Sequence, residues 1–141
     1  MAKKKFVLIG AGSMAFSQAL ITAIGGEESF RGSTIALVDV NEESLNTMRK
    51  LTDKMIKEKD WDLNLEYSTD RVEVLPGADV ISMTIAVGGY DAYTHDVMIP
   101  SKYGYVQSVG DSTGLGGMSR ALRHVPVMVD IGNDINKPKF Q

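Results

Sequence analysis

With 141 residues, 43% of them hydrophobic and 23% charged, the chain has the length and composition of one folded domain rather than a disordered segment. A formal net charge of −3 gives no electrostatic ground for nucleic-acid binding, and the absence of cysteine excludes disulfides and thiolate metal sites within it. A cytoplasmic setting is expected, and no apolar run approaches the ~20 residues that a membrane-spanning helix needs.

The chain opens with lysines followed by an apolar run, Phe6 to Ile9, which two glycines interrupt at once. That run is too short for a signal peptide and fits a strand over Lys5 to Ile9, buried on both faces. Phe16, Ala19, Leu20, Ala23 and Ile24 then recur at helical spacing and are expected to face the core, with Gly25-Gly26 ending the helix. A second strand is read from Thr34 to Val38 and ends at Asp39. Asn41 is the expected N-cap of a helix that carries Leu45, Met48, Leu51 and Met55 inward. Its charge runs from Glu42 and Glu43 to Lys54, Lys57 and Lys59, complementing the helix dipole and leaving a solvated face of lysines.

A third strand is expected at Leu63 to Tyr67, a short helix at Arg71 to Leu75, and the most apolar strand at Asp79 to Val87. Residues 110 to 117 form a second glycine cluster, "GDSTGLGG", after which Met118, Leu122, Val125 and Val129 share one face of a helix that Pro126 is expected to kink. The last stretch loses its apolar period and reads as a frayed end. Alternating strands and helices predict an α/β fold with a parallel sheet and flanking helices, forming one domain over residues 1 to 141.

Gly10, Gly12 and Ala15 make G-x-G-x-x-A between a strand and a helix, the pattern of a Rossmann-like dinucleotide site. Gly10 allows the tight turn, Gly12 lets a pyrophosphate approach the backbone, and Ala15 lets helix and strand pack closely. The helix-start amides around Ser13 and Met14 then face the phosphates. Ser13 either caps the helix or adds a hydroxyl contact. Asp39, 24 residues past Ala15, stands where an acid holds the ribose hydroxyls. A carboxylate there repels a 2′-phosphate, so NAD is expected over NADP. The second cluster lacks the Gly-Lys-Ser/Thr ending of a P-loop and suits a hydroxyl-rich ligand better.

"IGAGSMAF", "LVDVNEESL", "GADVISMTIAVGG", "IPSKYGYVQSVGDSTGLGG" and "RALRHVPVMVDI" together resemble glycoside hydrolase family 4, the NAD- and divalent-metal-dependent glycosidases. The last two stretches are the particular ones, and they look most like the α-galactosidase and α-glucuronidase branch. The resemblance implies oxidation of a sugar at C3 by bound NAD, loss of the C2 proton and elimination of the glycosidic bond, outside the usual two-carboxylate scheme. It also implies that the second loop lines the sugar cleft, with Asp111 on a sugar hydroxyl.

The chain departs from the family pattern after this point. The Asn-Pro strand and the Cys and His that hold Mn2+ or another divalent metal in a full-length relative have no counterpart here. The resemblance therefore implies a truncated chain that carries the NAD-binding part, with neither catalytic nor metal residues of its own. His124 is read as a surface or packing residue and His95 as a solvated helix position. The eight methionines are read mostly as core and gap-filling residues. A stand-alone NAD-binding or regulatory module and a malate- or lactate-dehydrogenase-like fragment remain the alternatives. Of the six strands of a complete dinucleotide fold only four are legible, leaving the fourth strand as an unprotected edge and a homo-oligomer expected through it.

Overall fold

The structure is a computed structural model that describes residues 3–110 and 112–137. Asp111, the expected sugar contact, lies outside the described residues. Four parallel strands, β1 (Lys5–Ile9), β2 (Ser33–Val38), β3 (Leu63–Ser68) and β4 (Val80–Met83), form one sheet in the order β3-β2-β1-β4. Among the described residues, five α-helices accompany them: α1 (Met14–Gly26), α2 (Glu42–Glu58), α3 (Arg71–Val74), α4 (Gly89–Ser101) and α5 (Gly114–Ile135). The chain divides into two compact units, one containing the sheet and made of the residues up to Ile85 together with Lys137, the other running Ala86–Asn136.

In the sheet unit, β1 and β2 are central, and their continuous apolar runs are buried on both faces. Phe6 and Leu8 of β1 and Ile35 and Leu37 of β2 share one core with Ile21 and Ile24 of α1 and Leu45 and Met48 of α2. Phe30 closes its edge, meeting the Phe6 ring edge-on at 4.9 Å. The strand starts are tied by Asp79, which accepts from the Lys4 ammonium and the Lys5 amide, each at 2.8 Å. The Lys4 bond is the first cause, and the Lys5 amide the second, of a carboxyl held below its usual range. Asn41 caps α2 as expected, its side-chain oxygen accepting from Ser44 N–H at 2.9 Å.

Two expectations need correction. The inward face of α1 is Ser17, Ile21 and Ile24, whereas Phe16 is 66% exposed. The Gly10–Ser13 turn fixes the rotation of the helix, and a mostly apolar helix offers no pattern strong enough to predict it. Gly25 does more than end α1, because a Cβ there would enter the Trp61 ring. Finally, β4 is four residues long rather than nine. Its partner β1 ends at Ile9, and after Thr84 N–H donates to Ile9 O at 2.8 Å the ladder has no further acceptor.

In the second unit α4 and α5 pack together, and α5 runs continuously through Pro126. Its buried positions are Gly116, Gly117, His124, Ile131 and Asp134. The face that Met118, Leu122, Val125 and Val129 share is exposed.

Candidate functional site

The β1–α1 turn is built by backbone geometry that few residues other than glycine allow. Gly10 has φ +87°, and a Cβ there would stand 2.7 Å from the Thr84 carbonyl. Gly10 and Ala11 N–H both donate to Val38 O, at 2.8 and 2.9 Å, while the Thr84 hydroxyl donates to Gly10 O at 3.0 Å. The turn is thereby held against the carboxyl ends of β2 and β4, on either side of β1. In a sheet of this order, that is where the strand sequence reverses and ligands bind.

Asp39 finishes the turn. One carboxylate oxygen accepts from Gly12 N–H at 2.8 Å and the other from Asn41 N–H at 2.9 Å. A Cβ on Gly12 would lie 2.8 Å from that carboxylate and 2.7 Å from the Ser44 Cβ. Gly12 is therefore required by the approach of Asp39 itself, a constraint that the sequence pattern assigned to a phosphate. Each carboxylate oxygen keeps a lone pair for a further donor.

The start of α1 differs electrostatically from that of α2. Ser13 occupies the N-cap position without a side-chain cap bond, and the first turn carries no acid. Helix α2 has the Asn41 cap and both Glu42 and Glu43. The first intrahelical bond of α1 runs from Ser17 N–H to Ser13 O at 3.0 Å, leaving the amides of residues 14 to 16 without carbonyl partners in the helix. Met14 and Phe16 are exposed around them. Amides, an uncommitted Ser13 hydroxyl and the dipole give this end the chemistry of an anion seat, which fits a dinucleotide pyrophosphate. Ala15 is exposed, so its small size does not serve packing against β1.

The second unit holds a buried polar network that the sequence reading missed. Asp96 of α4 is buried and accepts from Arg123 of α5 through both oxygens, at 2.9 and 2.5 Å. The Arg123 hydrogen bond, opposed by burial, holds the Asp96 carboxyl below its usual range. Arg123 Nε also donates to Val87 O, and Val87 N–H donates to His124 Nε2 at 3.1 Å. His124 Nδ1 stands 3.0 Å from Arg120 O, an acceptor only, so the ring is the neutral tautomer with its proton on Nδ1. Consecutive residues of α5 thus hold both backbone groups of Val87, at the entry to the left-handed Gly88-Gly89 turn. His124 is a packed residue and His95 is exposed on α4.

The glycines of the second cluster serve close approach. A Cβ on Gly116 would collide with Asp96 O, and one on Gly110 would stand 3.1 Å from the Asp96 backbone carbon. One on Gly117 would press on Ser112 at 2.9 Å. The start of α5 therefore lies against α4 where only hydrogen fits. The signal in the sequence was a buried acid within α4 and an arginine-histidine pair in α5, but their pairing spans 27 residues. Among the described residues, no three His, Asp or Glu side chains converge as metal ligands, and no helix is long and apolar enough to cross a membrane.

Comparison with known proteins bears on the whole chain. The model of the family 4 glycosyl hydrolases matches residues 5–139. An α-galactosidase of Rhizobium meliloti is 36% identical over 97% of this chain, and an α-galacturonidase of Thermoanaerobacter italicus is 35% identical over 94%. This chain spans 28% of the length of each of these curated relatives. The crystal structure of Bacillus subtilis lplD, provisionally described as a glucosidase, superposes with a TM-score of 0.85 at 28% identity, covering 96% of this chain and 30% of that one. A 6-phospho-α-glucosidase from gut microorganisms, solved with NAD and Mn2+, has the same fold, with a TM-score of 0.85 at 22% identity over 95% of this chain and 30% of its own. The chain belongs to the family 4 glycosyl hydrolases.

Proposed function

We propose that this chain is the NAD-binding part of a family 4 glycosidase, a single Rossmann-like functional domain over residues 1 to 141. The observation that carries the reading is the β1–α1 turn. Gly10 is left-handed there, the amides at residues 14 to 16 have neither cap nor acid, and Asp39 stands at the end of β2. The pyrophosphate would pass close to the Gly12 and Ser13 backbone and rest on the free amides that begin at Met14 and Ala15, with the Ser13 hydroxyl beside it and Asp39 accepting from a ribose hydroxyl. NAD would supply a hydride acceptor for the sugar chemistry. The NAD carried by the 6-phospho-α-glucosidase supports the same cofactor.

The finer assignments belong to this reading. Asp111 would accept from a sugar hydroxyl, a divalent metal such as Mn2+ would be held elsewhere in a full-length enzyme, and the setting would be cytoplasmic. The net charge of −3 argues against a nucleic-acid partner. The exposed Val80 and Met83 of β4 support pairing of two copies along that edge.

NADH fluorescence titration tests the reading. Enhancement that saturates, is displaced by NAD and is displaced poorly by NADP is the expected result, and Gly12→Val should abolish it. A folded chain that leaves NADH fluorescence unchanged at millimolar cofactor would overturn the assignment.

A further inference from the structure

Helix α1 buries a hydroxyl that no described residue satisfies. Among the described residues, three buried side-chain atoms lack a hydrogen-bond partner, on Ser17, Arg49 and Gln107, and of these only Ser17 is wholly buried. Ser17 stands on the inner face of α1 with Ile21 and Ile24. A buried hydroxyl without a partner loses its hydration and gains no bond to replace it. Alanine at the same place would avoid that cost and favour the helix. Such a group calls for a partner that arrives from outside the chain.

The place of Ser17 indicates what that partner is. Side chains of an α-helix lean toward its N-terminus, so a hydroxyl at residue 17 lies over the turn of helix that begins at Ser13. The acceptors there are engaged. Val38 O already accepts from Gly10 and Ala11 N–H, and Gly10 O from Ser13 N–H and the Thr84 hydroxyl. Ser13 O, the usual back-bonding acceptor for a serine four residues on, receives Ser17 N–H alone. The other groups at this end are donors: the amides of residues 14 to 16 have no carbonyl partner in the helix, and the Ser13 hydroxyl caps nothing. Donors gather at the start of α1 without acceptors to answer them, and a phosphate is a group of acceptor oxygens.

We propose that Ser17 is a positioning residue for the pyrophosphate of the dinucleotide and acts through one ordered water. The hydroxyl is too deeply buried to meet the ligand itself, and a water held between two polar partners spans the gap. That water accepts from the Ser17 hydroxyl and donates to a phosphate oxygen, a bridge nearly as good as a direct hydrogen bond. The inference rests on the NAD reading of the β1–α1 turn and adds to it a residue that the glycine pattern does not contain.

Ser17→Ala separates this role from a structural one, because the two predict opposite signs. The 141-residue protein and the variant are compared in thermal unfolding without cofactor, then in NADH fluorescence titration with ADP-ribose as competitor. ADP-ribose carries the pyrophosphate without the nicotinamide. The variant should unfold at a temperature no lower than the parent's, while its affinity for both NADH and ADP-ribose falls about five- to tenfold. A lower unfolding temperature overturns the proposal, since the hydroxyl then has a partner in the free chain. Unchanged affinity for either ligand overturns it too and leaves Ser17 as a small residue that lets α1 approach the sheet. If the parent itself binds no NADH, the dinucleotide reading falls and takes this inference with it; in the other two cases the role of Ser17 falls alone.

Discussion

Replacing Arg123 by methionine tests whether the Asp96–Arg123 pair holds the helical unit together. The Asp96 side chain is 1% exposed, and both its oxygens accept from the guanidinium at 2.9 and 2.5 Å. Arg123→Met keeps much of the side-chain volume but leaves the carboxylate buried with only the Ser119 hydroxyl and the charge of Arg120 to offset it. Removing one partner of a fully buried pair costs about 3–5 kcal/mol. The Arg123 side chain is 27% exposed, so water reaches the vacated site and the lower end, about 3 kcal/mol, applies. Against a total of roughly 5–15 kcal/mol for a small domain, that is a large loss. Urea unfolding followed by far-UV circular dichroism reads it, since α4 and α5 contribute much of the helix. Arg123→Met combined with Asp96→Leu should recover most of the loss, because an apolar pair needs no counter-charge. A loss under about 1 kcal/mol for Arg123→Met, or no recovery in the double variant, would refute the argument.

The same pair sets a pH dependence. The folded Asp96 carboxyl lies below its usual range, so its stabilisation is complete above the unfolded value near 4 and is lost as pH falls through the lowered folded value. Asp96→Asn should therefore unfold less steeply than the parent as pH falls below about 4, as followed by acid titration of ellipticity. Asp39→Asn should narrow the preference for NAD over NADP in competitive titration. Two like charges near 4 Å cost about 4 kcal/mol at an effective dielectric of 20, and that repulsion disappears with the carboxylate. Nitrophenyl glycosides with NAD and Mn2+ should show no turnover by the pure 141-residue protein, and chelator-sensitive hydrolysis would contradict the placement of the chemistry elsewhere. Sedimentation at micromolar concentration should show self-association through the β4 edge, and a lone monomer would dismiss that edge as an interface.

Local chemistry determined much of this protein. The apolar runs of β1 and β2, the Asn41 cap of α2 and the glycines at 10 and 12 each depend on neighbours within a few residues, and each stands where the sequence placed it. The α/β class, the parallel sheet and a turn suited to a dinucleotide followed from them. The inward face of α1 did not, because a helix apolar on most sides is rotated by the turn that launches it. Nor did the length of β4, which ended with its partner at Ile9. The second glycine cluster read as a ligand loop, yet Gly110 and Gly116 are small because Asp96 lies against them. The Asp96–Arg123 pair and the outward stripe of α5 depend on how two helices meet. A periodic pattern states that a helix has an apolar side; only packing decides whether that side is met within the same chain.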